Sequence, residues 1–285
     1  MAAPSSNRHF LIALFLALLA GSSLADFSLR SLSVEANINK DGSVNVEERL
    51  EMVVNGQPSR ELYEATRAAY SDLATWKNRT QLTEMRHHVS RANLNIENLR
   101  ITPQALGGCN SFLGVCYATV ILDYSVPAAQ NGSGLVKVSR YKPRTALYSL
   151  VPDALSFEQT KTGDLVLPKG TTISITIPAS SEKVYFSSPP QNVNSGAGNF
   201  RYDPQSNLRY YMGGEKTFSW GGDALSKFEF TFEVESPLEA EVLDFFSELQ
   251  HAVVRFLTGP EGLAALFILA AGGASAYYFN RLSAA

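Results

Sequence analysis

The chain has 285 residues, with 24 lysines and arginines against 27 aspartates and glutamates, and a formal net charge of −3 at pH 7. Apolar residues make up 45% of it, enough for a folded core and too many for a disordered protein. The balanced charge argues against nucleic acid as the main partner, because phosphate binding needs clustered lysine and arginine. Two cysteines are too few for a disulfide-dense scaffold or a four-thiolate zinc site.

Residues 1–25 have the pattern of a secretory signal peptide. Arg8 precedes an unbroken apolar run over residues 10–20, and Ser23 and Ala25 are small residues at the spacing that signal peptidase requires. We therefore expect cleavage after Ala25. An uncleaved anchor helix is the alternative, although the run is shorter than the ~20 residues that span a bilayer.

A second apolar segment, without any charge, occupies residues 262–279. We expect a transmembrane helix over 260–280, because the length is near the lower end of the ~17–25 residues required. Arg281 follows, so a short cytoplasmic tail over 281–285 agrees with the positive-inside rule. Localisation would then be a cell membrane, single-pass, with membrane lipid around the C-terminal helix. The alternative is a lipid anchor with loss of this tail.

Residues 26–235, between these two segments, are predicted to form an extracytoplasmic β-rich domain. Alternating apolar residues over 27–39 and from Val44 onward flank Asp41-Gly42, which predicts a β-hairpin. Residues 59–91 lack glycine and proline and predict a helical hairpin insertion, with its second helix over 80–91.

Further alternating runs, separated by glycine and proline turns, predict many short strands. The fold class is therefore mainly β: an antiparallel β-sandwich, or two in series. The predicted strands cover residues 93–101, 115–126, 135–140, 171–178, 183–187, 208–212, 216–220 and 227–234. Residues 191–199 are predicted to form a surface loop.

An amphipathic juxtamembrane helix is predicted over residues 236–259. Ser236, Pro237 and Glu239 supply an N-cap, a first-turn proline and a capping-box glutamate. Its apolar stripe either packs on the sandwich or pairs with a protein partner or a second copy. The stripe consists of Val242, Phe246, Leu249, Val253 and Phe256.

Cys109 and Cys116 predict a disulfide that closes a hairpin or loop in an oxidising compartment. Asn78 and Asn131 each begin a glycosylation sequon and are expected in turns. Occupancy depends on the glycosylation machinery of the host.

No catalytic, cofactor-binding or metal-ligating residue is assigned. Glu84 is three and four residues before His87 and His88, a spacing found in di-metal bundles, but no second copy of the motif exists. A solvated helix face is therefore the expectation for this triplet. The motifs of serine hydrolases, zinc proteases and P-loop proteins are missing, although a triad of residues distant in sequence stays open.

Basic residues cluster around an aromatic residue at Arg140, Tyr141, Lys142 and Arg144. Such a patch either binds an acidic glycan or polymer, or protects an edge strand by its charge. We favour the protected edge.

Three short motifs carry a family resemblance. Asp41-Gly42-Ser43 followed by Val46-Glu47-Glu48, then 167–170 (Leu-Pro-Lys-Gly) and Trp220-Gly221, resemble predicted prokaryotic, archaeal-type membrane-anchored β-sandwich ectodomains of unknown function. The resemblance implies a surface sandwich on a membrane stalk and supplies no catalytic residue.

These features predict a non-enzymatic protein for surface recognition, adhesion or envelope structure. The alternative is an accessory or sensor subunit that docks on a larger membrane complex through residues 236–280. A hydrolase with a scattered site is the third class, and a perturbed glutamate or histidine in a deep pocket would favour it.

Overall fold

The computed structural model describes residues 25–283 except 70–71, 92–93, 129–133, 143, 195–197, 205–207 and 236–237. The chain divides into two compact units. The first extends to Tyr141 and includes Ala146–Val234, and the second consists of Lys142–Thr145 and Glu235–Ala285. The strands are β1 (Asp26–Ile38), β2 (Val44–Asn55), β3 (Glu97–Pro103), β4 (Gly107–Asn110), β5 (Val115–Val126), β6 (Val136–Lys142), β7 (Thr145–Leu150), β8 (Glu158–Gln159), β9 (Leu165–Val166), β10 (Thr171–Thr176), β11 (Ser181–Phe186), β12 (Phe200–Tyr202), β13 (Arg209–Tyr211), β14 (Thr217–Gly221), β15 (Ala224–Leu225) and β16 (Phe230–Glu235). The helices are α1 (Gly56–Ala69), α2 (Leu73–Thr80), α3 (Leu238–Thr258) and α4 (Pro260–Ser283).

The first sheet has the order β14-β10-β1-β2-β5-β3, and β4 also pairs with β5. Its centre is the predicted hairpin of β1 and β2, in which alternate residues are buried. The Asp41 carboxylate closes the turn by accepting the amide and hydroxyl of Ser43 at 2.9 and 2.7 Å. Gly42 adopts φ +86°, which glycine tolerates without a steric cost.

The second sheet has the order β12-β13-β11-β16-β7-β6, and a small third sheet has the order β15-β9-β8. The core lies between the two large sheets: Phe218 of β14 lies 5.6 Å from Phe230 of β16, and Trp220 lies 5.5 Å from the same ring. Trp220 also donates its indole N–H to the Ser188 carbonyl at 2.8 Å, so its one polar group is satisfied inside. A mainly β, sandwich-like body is therefore confirmed.

Strand direction differs from the prediction at one place. β1 and β10 run parallel, with Leu32 opposite Thr171 and Asn37 opposite Thr176. The long connection between them, which includes β2, α1, α2 and β3–β9, makes the parallel pairing possible, since a parallel pair needs a crossover instead of a tight turn. The antiparallel pairing expected for the sandwich therefore does not hold between β1 and β10.

The helical insertion is shorter than predicted. α1 follows β2 directly, and Tyr63 on it lies 5.4 Å from Trp76 of α2 and donates to the Gln104 carbonyl at 2.6 Å. α2 ends at Thr80 because Gln81 takes a left-handed conformation (φ 59°) and donates its N–H to the Lys77 carbonyl. The predicted helix over 80–91 does not form, and Val89 instead bridges to Leu155.

The second unit contains α3 and α4, with a break at Gly259, whose N–H donates to the Arg255 carbonyl at 3.0 Å. The predicted apolar stripe of α3 is about half exposed at each of its five positions. Within the described ranges, no helix combines the length and hydropathy needed to cross a membrane. Residues 1–24 of the predicted signal peptide lie outside the described residues, as do Ser236 and Pro237.

Candidate functional site: a groove on the second sheet

Side chains alternate between the two faces of the second sheet, and every second residue lies on its outer face. β11, β16 and β7 are neighbouring inner strands, and they direct Val184, Phe232 and Tyr148 into the core. Residues of opposite parity point away from the core. Tyr185 is therefore opposite Thr231 on this outer face, in the register of β11 against β16.

A groove of about 500 Å³ runs along this face. Its lining comes from the inner strands and from the hairpin of β12 and β13, in which the Asp203 N–H donates to the Leu208 carbonyl at 2.9 Å. The volume falls in the ~300–1,000 Å³ range of ligand clefts. The lining is mixed, with apolar, hydroxyl and charged groups: Leu147, Ser149, Tyr185, Leu208, Thr231 and Glu233 are among them.

The polar side chains around Glu233 hold one another through a hydrogen bond and an ion pair. Glu233 is 5% exposed, and its carboxylate accepts from the Tyr185 hydroxyl at 3.1 Å and lies 3.4 Å from the Lys183 ammonium. Lys183 in turn lies 5.2 Å from the ring centre of Tyr210. The nearly buried carboxylate is thus paired with a cation and a hydroxyl, as burial of a charge requires.

The hydroxyls of Thr231 and Ser149 meet across β16 and β7, with Thr231 donating at 3.3 Å. At the wall, the Arg209 guanidinium lies 4.1 Å from the ring centre of Phe200. The groove therefore presents hydroxyl, aromatic and charged side chains on a hydrogen-bonded sheet.

A second cluster is buried inside the first unit, around Glu48 of β2. The Glu48 and His88 side chains are 0% exposed, and Glu48 Oε2 lies 2.7 Å from His88 Nδ1. Glu48 Oε1 accepts the backbone N–H of His88 at 2.6 Å and of Val89 at 3.3 Å, as well as the Tyr124 hydroxyl. One carboxylate therefore attaches the non-helical segment 81–91 to the first sheet.

Burial and hydrogen bonding shift the pKa values of this cluster. Burial alone would raise the pKa of Glu48, but the hydrogen bond and Coulomb attraction of His88 and the bond from Tyr124 lower it below the usual value. Burial lowers the pKa of His87, which packs edge-on against Tyr124 at 4.8 Å. Burial and the negative charge of Glu48 raise the pKa of Tyr124. Glu48 therefore stays charged and acts as a fixed acceptor.

The predicted triplet Glu84, His87 and His88 does not lie on a helix face. His88 stacks on Phe157 at 5.1 Å and is fully buried, so the expectation of a solvated face is wrong for this residue. The reason is Glu48, which supplies acceptors for the backbone amides of this segment and makes a helix unnecessary. Among the described residues, no three of His, Cys, Asp and Glu gather as metal ligands.

Cys109 and Cys116 are joined in a disulfide that bridges β4 and β5, which confirms the pairing predicted for them. Asn78 is exposed but lies in the last turn of the helix α2, so the expectation that it lies in a turn between elements was wrong. Asn131 lies outside the described residues.

The basic cluster falls on the edge of the second sheet. Arg140 and Lys142 are exposed on β6, which is an edge strand, and Arg144 pairs with Glu235 at 3.3 Å. This placement matches the charged edge that was favoured, because charge on an edge strand opposes pairing with another chain.

Sequence reasoning missed both the groove and Glu48. The groove needs β7, which was not predicted, and its walls come from residues that are distant in sequence. A signal for Glu48 did exist: it shares its strand parity with Val46 and Leu50, so alternation placed it on the buried face.

The sequence matches no protein-family model and no curated protein. Among solved structures, the chain is similar to the Fcho1 Mu homology domain of Danio rerio with bound Eps15 peptide, at 9% identity and a TM-score of 0.17. The match covers 75% of this chain and 80% of that chain. A likeness at this level carries no argument about fold or function.

Proposed function

We propose that the chain is a non-enzymatic, extracytoplasmic recognition protein that binds a surface ligand through its β body and attaches to a membrane through its C-terminal helices. The observation that carries the proposal is the groove, a cleft of about 500 Å³ over the inner strands β11, β16 and β7. Binding sites of this kind combine apolar walls with a few fixed polar groups.

The compartment is supported by the disulfide between Cys109 and Cys116, because disulfides persist in oxidising environments and are rare in the cytosol. The apolar run of residues 10–20 supports the same compartment by its resemblance to a signal peptide.

Membrane attachment is supported by α4. Phe267, Ile268, Leu269, Tyr277 and Phe279 on this helix are all 69–79% exposed, and residues 262–279 carry no charge. Large apolar side chains exposed on one helix in this number are typical of a membrane or protein contact.

The non-enzymatic part of the proposal is supported by the burial of the Glu48 cluster. Glu48 and His88 are fully buried, and each oxygen of Glu48 is occupied by hydrogen-bond donors. Structural ion-pair networks shift pKa values as active sites do, and a group without access to a substrate belongs to the structural kind.

One observation favours the alternative, an accessory or sensor subunit. The stripe of α3 from Val242 to Phe256 is about half exposed, as a helix that docks on a partner would be. Crosslinking in native membranes, followed by affinity purification of the full chain, separates the two proposals. Recovery of the chain alone or as its own oligomer supports recognition, whereas a stoichiometric membrane-protein partner supports the accessory subunit.

A further inference from the structure

The loop between β4 and β5 presents two large apolar side chains to solvent. Phe112 is 95% exposed and Leu113 is 66% exposed, and the two are adjacent in the chain. The disulfide of Cys109 with Cys116 closes the loop that carries them. Single exposed apolar residues are ordinary on a protein surface, whereas an adjacent pair at the tip of a cross-linked loop indicates a contact site.

The backbone at the tip makes its hydrogen bonds within the protein. The side-chain carbonyl of Asn110 accepts the N–H groups of Phe112 and Leu113, each at 3.0 Å. The Gly114 carbonyl accepts the Gly56 N–H at 2.9 Å. A backbone group that leaves water without a partner carries a large energetic cost. These groups can therefore enter an apolar medium with their hydrogen bonds already made.

The segment that contains the tip is uncharged. Residues 101–122 include no aspartate, glutamate, lysine, arginine or histidine. At the base of the loop, the Arg30 guanidinium lies 4.5 Å from the ring centre of Tyr117 and 3.9 Å from the Glu51 carboxylate. Charged groups are costly inside a bilayer, but an arginine beside an aromatic ring suits its headgroup region. The tip and its base thus match the apolar interior and the polar boundary of a membrane.

The size of the tip separates a bilayer from a protein partner. A stable protein interface buries about 800 Å² on each partner. Two side chains supply much less than that, since even a large aromatic residue buries only about 150–250 Å². A bilayer needs no matching surface, because each apolar side chain that enters it is stabilised by leaving water. Lipid is therefore the occupant that this tip fits.

The tip lies at the end of the β body opposite to the point where the chain leaves for α3. β2 begins at the β1–β2 turn and ends opposite the start of β5, so the turn and the loop are at opposite ends of the first sheet. Phe232 of β16 stacks on Tyr148, whose hydroxyl donates to the Lys40 carbonyl in that turn. Val234 pairs with Ser181, which follows the end of β10 on the same side. The last strand of the body therefore ends beside the turn.

We propose that the loop of residues 110–114 inserts Phe112 and Leu113 into a second lipid bilayer, which faces the membrane that holds the chain. This inference goes beyond recognition by the groove and rests on the proposed attachment through the C-terminal helices. A chain anchored at one end and inserted at the other holds two membranes close together, which is an adhesive activity.

The first test uses Phe112→Trp as a reporter in the full chain. The variant is reconstituted in phosphatidylcholine vesicles, and protein-free vesicles of brominated phosphatidylcholine are added, because bromine quenches tryptophan on close contact. Trp76 and Trp220 are buried, so the wild type supplies the background. We expect the emission of the variant to fall on mixing and that of the wild type to stay constant. Constant emission of the variant overturns the inference.

The same reporter distinguishes the two membranes. The variant is also reconstituted directly in brominated vesicles, with nothing added. Quenching here, without quenching by added vesicles, would mean that the tip enters the chain's own membrane and would overturn the inference. An uncleaved helix over residues 10–20 would produce that result, since β1 begins at the end of the sheet that carries the tip.

The second test measures the capture of labelled, protein-free phosphatidylcholine vesicles by vesicles that carry the full chain. Phe112→Ser and Leu113→Ser should each lower this capture about tenfold, the factor that burial of one large apolar side chain represents. Leu99→Ser is the matched control: Leu99 is also exposed, but it lies on β3 beside the other end of β5. It should capture as the wild type does, and thermal melts should show that all variants fold.

Equal capture by Leu113→Ser and Leu99→Ser overturns the inference. Capture of vesicles that carry the chain, without capture of protein-free vesicles, also overturns it and assigns the tip to a second copy. A chain that stays in its vesicles but captures none keeps the proposed attachment and loses the inference. A chain that leaves its vesicles, while Phe112→Trp is still quenched by added brominated vesicles, keeps the insertion of the loop and loses the attachment.

Discussion

Glu48 is the residue whose replacement tests the structure most sharply. Its carboxylate accepts from two backbone amides, those of His88 and Val89, and contacts the His88 imidazole and the Tyr124 hydroxyl, all in the buried interior. Glu48→Ala removes every one of these acceptors and leaves buried donors without partners. Each such donor costs about 1–3 kcal/mol of unfolding free energy, and because several are left we expect a total loss of about 3–5 kcal/mol.

Glu48→Gln should cost less, about 1–3 kcal/mol, because the amide retains one carbonyl acceptor and loses the charge. Urea unfolding measures both values, and the midpoint should fall while the slope with urea stays unchanged. A loss of this size would be a large share of the ~5–15 kcal/mol that typically stabilises a folded protein.

Glu47→Ala is the matched control. Glu47 is the next residue on the same strand, and its partner Arg49, at 2.5 Å, is 48% exposed at the side chain. An exposed pair of this kind contributes at most about 1 kcal/mol. Equal losses for Glu48→Ala and Glu47→Ala would refute the assignment of Glu48 as the acceptor that holds segment 81–91.

Four further predictions concern pH, the disulfide and one glycine. Because the pKa of Glu48 is lower in the folded protein than the ~4.3 of an unfolded chain, its charge stabilises the fold above pH ~4.3. This stability is lost as the pH falls through the folded pKa, so Glu48→Gln should flatten the acid limb of a stability–pH curve. Because the pKa of His87 is lowered in the folded protein, protonation below pH ~6.5 favours the unfolded chain. His87→Phe should therefore remove the loss of stability that begins at this pH. An unchanged stability–pH curve would contradict this. Cys109→Ser opens a short loop and should cost about 2–3 kcal/mol in denaturant, an effect that a reducing agent reproduces in the wild type but not in the variant. Gly170→Ala should cost about 1–3 kcal/mol, because φ is +76° and the new Cβ would lie 2.9 Å from the Arg30 carbonyl oxygen. Gly163→Ala, at φ +87° with no atom within 4 Å, should cost less, and the reverse order would be inconsistent with the close approach at Gly170.

Local patterns predicted the centre of the first sheet. The hairpin of β1 and β2 and the full extent of β5 (Val115–Val126) follow from alternation and from the Asp41-Gly42 turn, which act over a few neighbouring residues. The disulfide followed from an even cysteine count and short spacing.

Pairings between distant residues were not accessible in this way. β7 lies between β16 and β6, and its contact with β16 joins segments far apart in sequence, which no local pattern encodes. The groove depends on that strand and was missed with it. Segment 81–91 looked helical because it lacks glycine and proline, but Glu48 on a distant strand supplies the acceptors for its amides. Tertiary contacts outweigh helix propensity, which is worth only tenths of a kcal/mol per residue.

The proposed function requires the groove to face the outside of the cell, and protease treatment of intact cells tests this most directly. Cells that make the full chain with a C-terminal tag are treated with a protease that does not enter them, with a cytosolic protein as the control. The proposal predicts that the β body, residues 26–235, is digested while the cytosolic control survives. Survival of the β body in intact cells, with digestion only after the membrane is opened, would contradict it.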